Sequence, residues 1–177
     1  MIKIALIAII ATACTCSVMG DNQLYGSYNT LLGSKKNLIG GNDNFLGGSN
    51  RNIIRGNGNQ LARSNSNGIS GSGNQLQNSN ANFVAGNGNS FVNSNFNQNF
   101  GNGNGFVNSN ANSVSGNSNL LVAANRNVVG GGSNSILNSN RNFVRGNGNL
   151  IVNWMILLST IPNHHHPFSP HESVIFN

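Results

Sequence analysis

Acidic side chains are nearly missing from this chain, which has three Asp and Glu residues among 177. These acids, Asp21, Asp43 and Glu172, are far apart in the sequence, and no His precedes His164. General acid–base and nucleophilic catalysis need matched groups within hydrogen-bond reach of each other, so we expect no enzyme activity. Because no Cys or acid cluster accompanies the His run at residues 164–166, we also predict no metal site and no cofactor.

Cysteine is equally scarce, since Cys14 and Cys16 are the only two and both lie near the amino end. Small secreted domains are often stabilised by disulfides, so most of this chain must be held together in another way. Residues 1–20 contain Lys3, an apolar run over residues 4–10 and then small residues. This pattern predicts a secretory signal peptide, and the apolar run is too short for a membrane span. Cleavage before Cys14, as in a bacterial lipoprotein, is the alternative.

The chain has instead a 15-residue repeat that continues without insertion or deletion over residues 19–153. Each of its nine lines has a seven-residue half and an eight-residue half, and both follow the pattern small-x-x-Asn-x-aliphatic-x. One such repeat cannot bury its own apolar side chains, so the repeats must stack. Composition alone would favour low-complexity disorder, but a disordered chain has no reason to keep its Asn residues at an exact spacing. We predict an all-β solenoid of about nine coils, at residues 19–33, 34–48, 49–63, 64–78, 79–93, 94–108, 109–123, 124–138 and 139–153.

The fourth position of every half is Asn, and the sixth is Leu, Ile, Val or Phe in all halves but one. Because side chains alternate along a strand, positions four and six should both face inward. The aliphatic residues would form a thin core, and the Asn side chains would bond to the coils above and below, ~4.7 Å away. Gly at the first position of the eight-residue halves would allow a tight corner with positive φ. We predict two internal Asn ladders, which include Asn52, Asn67, Asn82, Asn97, Asn112, Asn127 and Asn142 in one column and Asn59, Asn74, Asn89, Asn104, Asn119, Asn134 and Asn149 in the other.

One half departs from this pattern, because Asn99 occupies the apolar sixth position in the run F-N-Q-N-F, between Phe96 and Phe100. A buried Asn there would have no aliphatic neighbour, and the two Phe side chains would project outward. We therefore predict a bulge or a reversed side chain at residues 96–100.

The repeat stops after Asn153, because Leu157 stands where the next ladder Asn would be. The last coil of a solenoid must be covered, and we predict that the apolar residues 154–158 form this cap. Residues 154–177 would thus comprise an apolar cap and a flexible tail that contains His and Pro. The alternative is that the whole segment is an unstructured extension.

Basic residues outnumber acidic ones, with nine Lys and Arg and a formal net charge of +6. The Arg residues do not form a single stripe along the repeat. Nucleic-acid-binding surfaces usually combine a basic patch with stacking aromatic residues. We therefore predict no nucleic-acid partner and interpret the charge as a contribution to solubility. Arg51, Arg126 and Arg141 share one column, Arg55 and Arg145 share another, and Arg63 stands alone.

The lines N-R-N-I-I-R-G (residues 50–56) and N-G-N-Q-L-A-R-S (residues 57–64) have the form x-x-N-x-V-x-G followed by x-x-N-x-V-x-x-G. This repeat resembles that of the plant ice-recrystallisation-inhibition proteins, the antifreeze proteins of cold-hardy grasses. The resemblance covers residues 19–153. It implies a left-handed β-roll with a Val-type core, two internal Asn ladders and one flat ice-binding face. With the signal peptide, we expect a secreted, extracellular protein, in the apoplast or cell wall if the source is a plant.

Ice-binding faces in that family are rich in outward Thr, Ser and Val, whereas this repeat array contains one Thr, Thr30. Positions five and seven of the seven-residue halves include Arg55, Phe100 and Arg145, which would disturb ordered water and break flatness. The same positions of the eight-residue halves carry no charge, so we predict the ice-binding face there, especially in its second half. Its residues are Thr30, Leu32, Ser90, Val92, Val107, Leu120, Val122, Ser135, Leu137, Leu150 and Val152.

Ice is the partner that the resemblance implies, and the function would be secreted inhibition of ice recrystallisation. A stripe of outward Val and Leu also suits contact with a second copy of the chain or with cell-wall or matrix glycans. The alternative is therefore a secreted structural or adhesion solenoid without ice activity.

Overall fold

The structure, a computed structural model, describes residues 17–19, 22–152 and 174–176, with the side chains of residues 22–152. The predicted signal peptide lies outside these residues except for residues 17–19. The predicted cap at residues 154–158 and the His run at residues 164–166 also lie outside them.

Each half of each repeat forms one short strand, and strands one repeat apart pair side by side. The nine strands of the seven-residue halves, with one further strand at each end, form an eleven-stranded sheet, the long sheet. Strands of the eight-residue halves form a nine-stranded sheet, the short sheet. The pairing is parallel and offset by one repeat, so that Val92 lies beside Val107. The described residues contain no helix, and the predicted all-β solenoid of nine coils is confirmed.

The long sheet contains, in spatial order, β1 (Ser17–Met19), β2 (Asn22–Tyr25), β4 (Leu38–Gly40), β6 (Ile53–Arg55), β8 (Gly68–Ser70), β10 (Phe83–Ala85), β12 (Gln98–Phe100), β14 (Ser113–Ser115), β16 (Val128–Gly130), β18 (Phe143–Arg145) and β20 (Val174–Phe176). The short sheet contains β3 (Thr30–Leu32), β5 (Phe45–Gly47), β7 (Gln60–Ala62), β9 (Gln75–Gln77), β11 (Ser90–Val92), β13 (Gly105–Val107), β15 (Leu120–Val122), β17 (Ser135–Leu137) and β19 (Leu150–Val152).

The core is a thin layer between the two sheets, because nearly every strand buries only its central residue. Inside this layer the rings of Phe91 and Phe106 stack with their centroids 4.4 Å apart. The residues before and after each buried one face outward, as strand alternation requires. The buried apolar residues are Leu24, Ile39, Leu46, Ile54, Leu61, Ile69, Leu76, Val84, Phe91, Phe106, Val114, Leu121, Ala124, Val129, Ile136, Val144 and Ile151.

Both predicted Asn ladders are present beside this core, and Asn67 shows their geometry. Its backbone N–H and its Nδ2 both donate to Oδ1 of Asn52, at 2.9 and 3.1 Å, and Nδ2 also donates to the carbonyl of Ser79 at 2.9 Å. Its own Oδ1 accepts the equivalent two bonds from Asn82. A buried amide without partners would cost about 1–3 kcal/mol. In residues 22–152, every buried side-chain nitrogen and oxygen has a partner, so the ladders join the coils at no such cost.

Besides an exposed column at position two of the eight-residue halves, where N of Asn102 donates to Oδ1 of Asn117 at 2.8 Å, two further polar columns were missed by the sequence analysis. The first is the buried Ser column, in which the backbone N–H of Ser49 donates to Oγ of Ser34 at 2.9 Å and that of Ser64 donates to Oγ of Ser49 at 3.0 Å. The second is a half-buried Asn column at position two, where N and Nδ2 of Asn65 donate to Oδ1 of Asn80 at 2.8 and 3.1 Å. Asn recurs at this position from residue 50 to residue 140 as regularly as at position four, so the signal was visible.

The corners depend on backbone conformations that most residues avoid. Gly56 has a φ of 140°, and a Cβ there would collide with the backbone carbonyl of Gly71 in the next coil. This confirms the predicted role of Gly at the first position of the eight-residue halves. Third positions are also left-handed, even when they hold Phe96 (φ 58°) or Arg126 (φ 59°), so stacking against neighbouring coils overrides a local cost of about 1–2 kcal/mol.

The prediction of a bulge or reversed side chain at residues 96–100 was wrong. Asn99 lies in a regular strand, fully buried, and pairs in register with Val84 and Val114. Only the outward projection of Phe96 and Phe100 is as predicted.

Asn99 remains in the core because it finds its own partners. Its Oδ1 accepts a bond from Nδ2 of Asn104 at 2.9 Å, and its Nδ2 donates to the carbonyl of Gly101 at 3.2 Å. The backbone N–H of Asn104 still donates to Oδ1 of Asn89 at 2.9 Å, whereas its Nδ2 turns to Asn99. The second ladder thus lacks one side-chain bond, from Nδ2 of Asn104 to Asn89, and the buried amide of Asn99 gains a partner instead.

The ends of the long sheet each carry one additional strand. β1 pairs with β2 in the antiparallel direction, and β20 pairs with β18 in parallel, with Val174 beside Phe143. The strand that follows the last coil of this sheet therefore comes from Val174–Phe176.

Gly56→Ala should destabilise the protein far more than Gly58→Ala, although both positions have positive φ. A Cβ at residue 56 meets the backbone of Gly71, whereas nothing lies within 4 Å of a Cβ at residue 58. We expect a loss of about 1 kcal/mol for Gly58→Ala and of about 3 kcal/mol or more for Gly56→Ala, through strain and overpacking. Urea denaturation measures both, and equal losses would contradict the role given to this contact.

Asn99→Val should stabilise the protein by about 1 kcal/mol. The new side chain would lie between Val84 and Val114, and Nδ2 of Asn104 could then bond to Asn89 as in the other coils. The reverse substitution, Val84→Asn, is the control and should destabilise. Chemical denaturation of both variants gives the two free energies, and a loss of stability for Asn99→Val would show that the buried Asn has a structural role of its own.

Candidate functional site

The outward surface of the short sheet, the short-sheet face, contains all the residues of the predicted ice-binding face. They occupy the first and third positions of strands whose central residues are buried, except in β3, where the central Leu31 is partly buried. All the outward side chains of this sheet are uncharged. The arrangement therefore presents two parallel columns, one from each outward position.

The second half of the face is continuous over five coils, from β11 to β19. One column contains Val92, Val107, Val122, Leu137 and Val152, and the other contains Ser90, Gly105, Leu120, Ser135 and Leu150, all paired in register. Neighbours within a column are ~4.7 Å apart, and the two columns are separated by two residues of extended chain, ~6.6 Å. We call this region the five-coil patch.

Thr30 and Leu32 belong to the predicted ice-binding face, but they lie apart from the five-coil patch. Three strands lie between, and their outward positions include Phe45, Gln60 and Gln75. Gln60, Ala62, Gln75 and Gln77 line a shallow depression beside Ser90 and Val92. The face is therefore regular only in its second half, where the prediction placed the strongest signal.

Gly105 belongs to the patch although it was left out of the predicted residues. It lies between Ser90 and Leu120 in the same column, and Cδ1 of Leu120 lies 3.1 Å from the place where a Cβ of Gly105 would be. The Leu120 side chain thus leans over the glycine and fills the space that a side chain would take. Gly105 is at the fifth position of its eight-residue half, like Ser90 and Leu120, so its place in the repeat was enough to predict it.

The patch is held from below by the core and by one Asn ladder. Phe91, Phe106 and Leu121 are fully buried beneath it. The carbonyl of each ladder Asn accepts the N–H of the first residue of the neighbouring strand, as in the bonds from Ser90 to Asn104 at 2.9 Å and from Leu120 to Asn134 at 2.8 Å. The outward side chains are thus fixed to a closely bonded backbone.

The opposite surface, the long-sheet face, is less even and carries charge. Arg55 and Arg145 are exposed on it, and the rings of Phe83 and Phe100 form a tilted pair with centroids 5.6 Å apart. Phe83, Phe100 and Phe143 are each close to half exposed. The two faces therefore differ most clearly in charge, which is confined to the long-sheet face.

The described residues offer few groups for metal binding or for acid–base chemistry. Within residues 17–19, 22–152 and 174–176, no three His, Cys, Asp or Glu side chains come together in a way that could hold a metal ion. A helix long and apolar enough to cross a membrane is also missing from the described residues. Asp43, the single acid of residues 22–152, lies at an exposed corner.

Comparison with the models of known protein families and with curated protein sequences gave no match. The candidate site therefore rests on its geometry and on the repeat pattern.

Proposed function

We propose that this protein binds ice through the five-coil patch and inhibits ice recrystallisation. The observation that carries the proposal is the in-register stacking of uncharged outward side chains over five consecutive coils. A repeating crystal surface is recognised by a surface that repeats as well, and a column with one residue every ~4.7 Å provides that.

Rigidity is the second support for the proposal. A surface that must match a lattice loses affinity if its groups have to be ordered on binding. Here the outward residues belong to strands joined by backbone bonds and underlain by an Asn ladder, so their positions are set before binding. The patch mixes Val and Leu with the hydroxyls of Ser90 and Ser135, which allows it to order water at an apolar surface.

The biological setting of the proposal is outside the cell. The predicted signal peptide at residues 1–20 and the resemblance of the repeat to the grass ice-recrystallisation-inhibition proteins both favour secretion. The proposed partner is the ice surface, and the proposed activity is binding and not catalysis.

A second candidate function is structural or adhesive, and one observation favours it. Aromatic and aliphatic side chains are exposed on the long-sheet face as well, including Ile53, Phe83, Phe100 and Val128. Exposed apolar groups of this kind often mark contacts with other macromolecules or with further copies. Concentration-dependent association in sedimentation experiments, together with failure to restrain ice, would favour this alternative.

Val107→Arg should abolish most of the ice activity and leave the fold intact. Val107 lies in the middle of the patch, between Val92 and Val122, so a long charged side chain there would hold the surface away from ice. The matched control is Ser115→Arg on the long-sheet face, in the column where Arg55 and Arg145 already occur. We expect Val107→Arg to raise the dose needed for inhibition by about tenfold or more, and Ser115→Arg to leave it nearly unchanged.

Crystal growth in frozen sucrose measures this dose, and circular dichroism checks that both variants are folded. If the unmodified protein does not restrain crystal growth at micromolar dose, the proposed function is wrong. If both variants lose activity equally, the protein binds ice through another surface.

A further inference from the structure

The most strongly charged surface of the described chain is a corner of the solenoid that the ice proposal does not use. The coil passes from the short sheet to the long sheet through position eight of one repeat and positions one to three of the next. Position three donates its backbone N–H to the position-two carbonyl of the preceding coil, as in the bonds from Arg51 to Lys35 and from Arg141 to Asn125. The corner is thus stacked in register like the sheets. We call it the basic corner, and its cations are Lys35, Lys36, Arg51, Arg63, Arg126 and Arg141.

Six of the eight Lys and Arg residues of residues 22–152 lie at this corner, since Arg55 and Arg145 are the other two. All six are exposed. The one acid of the same residues, Asp43, occupies the opposite corner. Arg63 stands alone in its column of the repeat, but the fold places position eight next to positions two and three. Cγ of Arg63 lies 3.9 Å from the place where a Cβ of Gly48 would be, and Gly48 precedes Arg51 by three residues in the chain.

The cations form two groups along a straight edge. Lys35, Lys36, Arg51 and Arg63 lie on the second and third coils, where the first three line a depression with Asn50, Asn65 and Ser66. Arg126 and Arg141 lie on the eighth and ninth coils. Five coil spacings separate Arg51 from Arg126, which is ~24 Å, and the whole edge from Lys36 to Arg141 is ~33 Å long. A ligand that contacts both groups at once must therefore extend along this edge, and its charge must be negative.

The stretch between the two groups offers hydrogen bonds in place of charge. The half-buried Asn column at position two passes along it, with Nδ2 of Asn80 donating to Asn95 at 3.1 Å and Nδ2 of Asn95 donating to Asn110 at 3.2 Å. Each of these bonds uses one of the two N–H groups of an amide. Amides fixed in this way suit a ligand that carries hydroxyl groups between its charges.

One aromatic residue lies in the same stretch. Phe96 is 69% exposed and is held at a φ of 58°, between Ala81 and Ala111 in its column. A left-handed conformation is unfavourable for a bulky residue, and the exposed ring finds no core to pack against. A ring presented in this way can stack on the apolar face of a sugar.

We infer that the basic corner binds an acidic polysaccharide, with the two cation groups holding its anionic groups and the Asn column and Phe96 contacting the sugars between them. Single-stranded nucleic acid fits less well, because its binding sites combine a basic groove with aromatic side chains for successive bases, and this convex edge has one exposed ring. The basic corner and the five-coil patch are separate surfaces, so this inference does not depend on ice binding.

The test uses the full-length protein and polygalacturonate, with its fully methyl-esterified form as the uncharged control. We compare Arg51→Ser/Arg63→Asn at the corner with Arg55→Ser/Arg145→Ser on the long-sheet face. Both pairs remove two charges, and each new residue already occurs in the same column of this chain, as in Ser66, Asn78, Ser70 and Ser115. Both variants should therefore fold, and circular dichroism checks this.

We expect the corner pair to weaken binding of polygalacturonate by about tenfold at low ionic strength, as for the loss of two exposed ionic contacts. The long-sheet pair should change it by less than about twofold. Binding by the unmodified protein should also fall steeply as salt is added, because exposed charges are screened. Ice activity of the corner pair should be unchanged.

Four results would overturn the inference. Equal weakening by both pairs would mean that only net charge matters. Equal binding of the methyl-esterified polymer, or no binding of polygalacturonate at low ionic strength, would remove the role of the cations. Tighter binding of single-stranded DNA than of polygalacturonate at the same salt would assign the corner to another class of partner.

Discussion

The stacking of Asn side chains from coil to coil is the interaction on which the rest of this structure depends. A core one side chain wide buries little apolar surface, and the described residues supply the missing cohesion through amides. An inner Asn such as Asn67 accepts bonds from the backbone and side chain of the Asn in the next coil and donates to a carbonyl of the following corner. Its bonds are satisfied only if the coils keep the same length and phase. The constraint therefore explains why the repeat never gains or loses a residue.

The same constraint determines what the outside of the molecule can be. Because the coils superpose, any outward position becomes a straight column, and the chemistry of that column is set by side chains that the interior does not restrict. Three surfaces arise in this way: the five-coil patch, the aromatic long-sheet face and the basic corner. The corners carry the cost, since Gly56 needs a conformation that other residues avoid and Phe96 and Arg126 are held at positive φ.

The interior could be predicted from the sequence, because its rules act on every repeat: Asn at position four, an apolar residue at position six and Gly at the tight corner. The failure at Asn99 is instructive. We expected the local anomaly to deform the backbone, but a nearby amide, that of Asn104, could redirect one bond at small cost. The gap between Thr30 and the five-coil patch, and the approach of Arg63 to the cations of other columns, depend on which residues become neighbours across coils. Reading each column separately could not show these relations.

The central claim is that the inner amides, and not polar columns in general, hold the coils together. The most direct test compares the free energy of unfolding of Asn119→Ala with that of Asn117→Ala. Asn119 is buried and exchanges bonds with Asn104, Gly131 and Asn134, whereas Asn117 is exposed and its Oδ1 accepts bonds from N and Nδ2 of Asn102. We expect a loss of about 3 kcal/mol or more for Asn119→Ala and of about 1 kcal/mol or less for Asn117→Ala. Similar losses for the two variants would contradict the account.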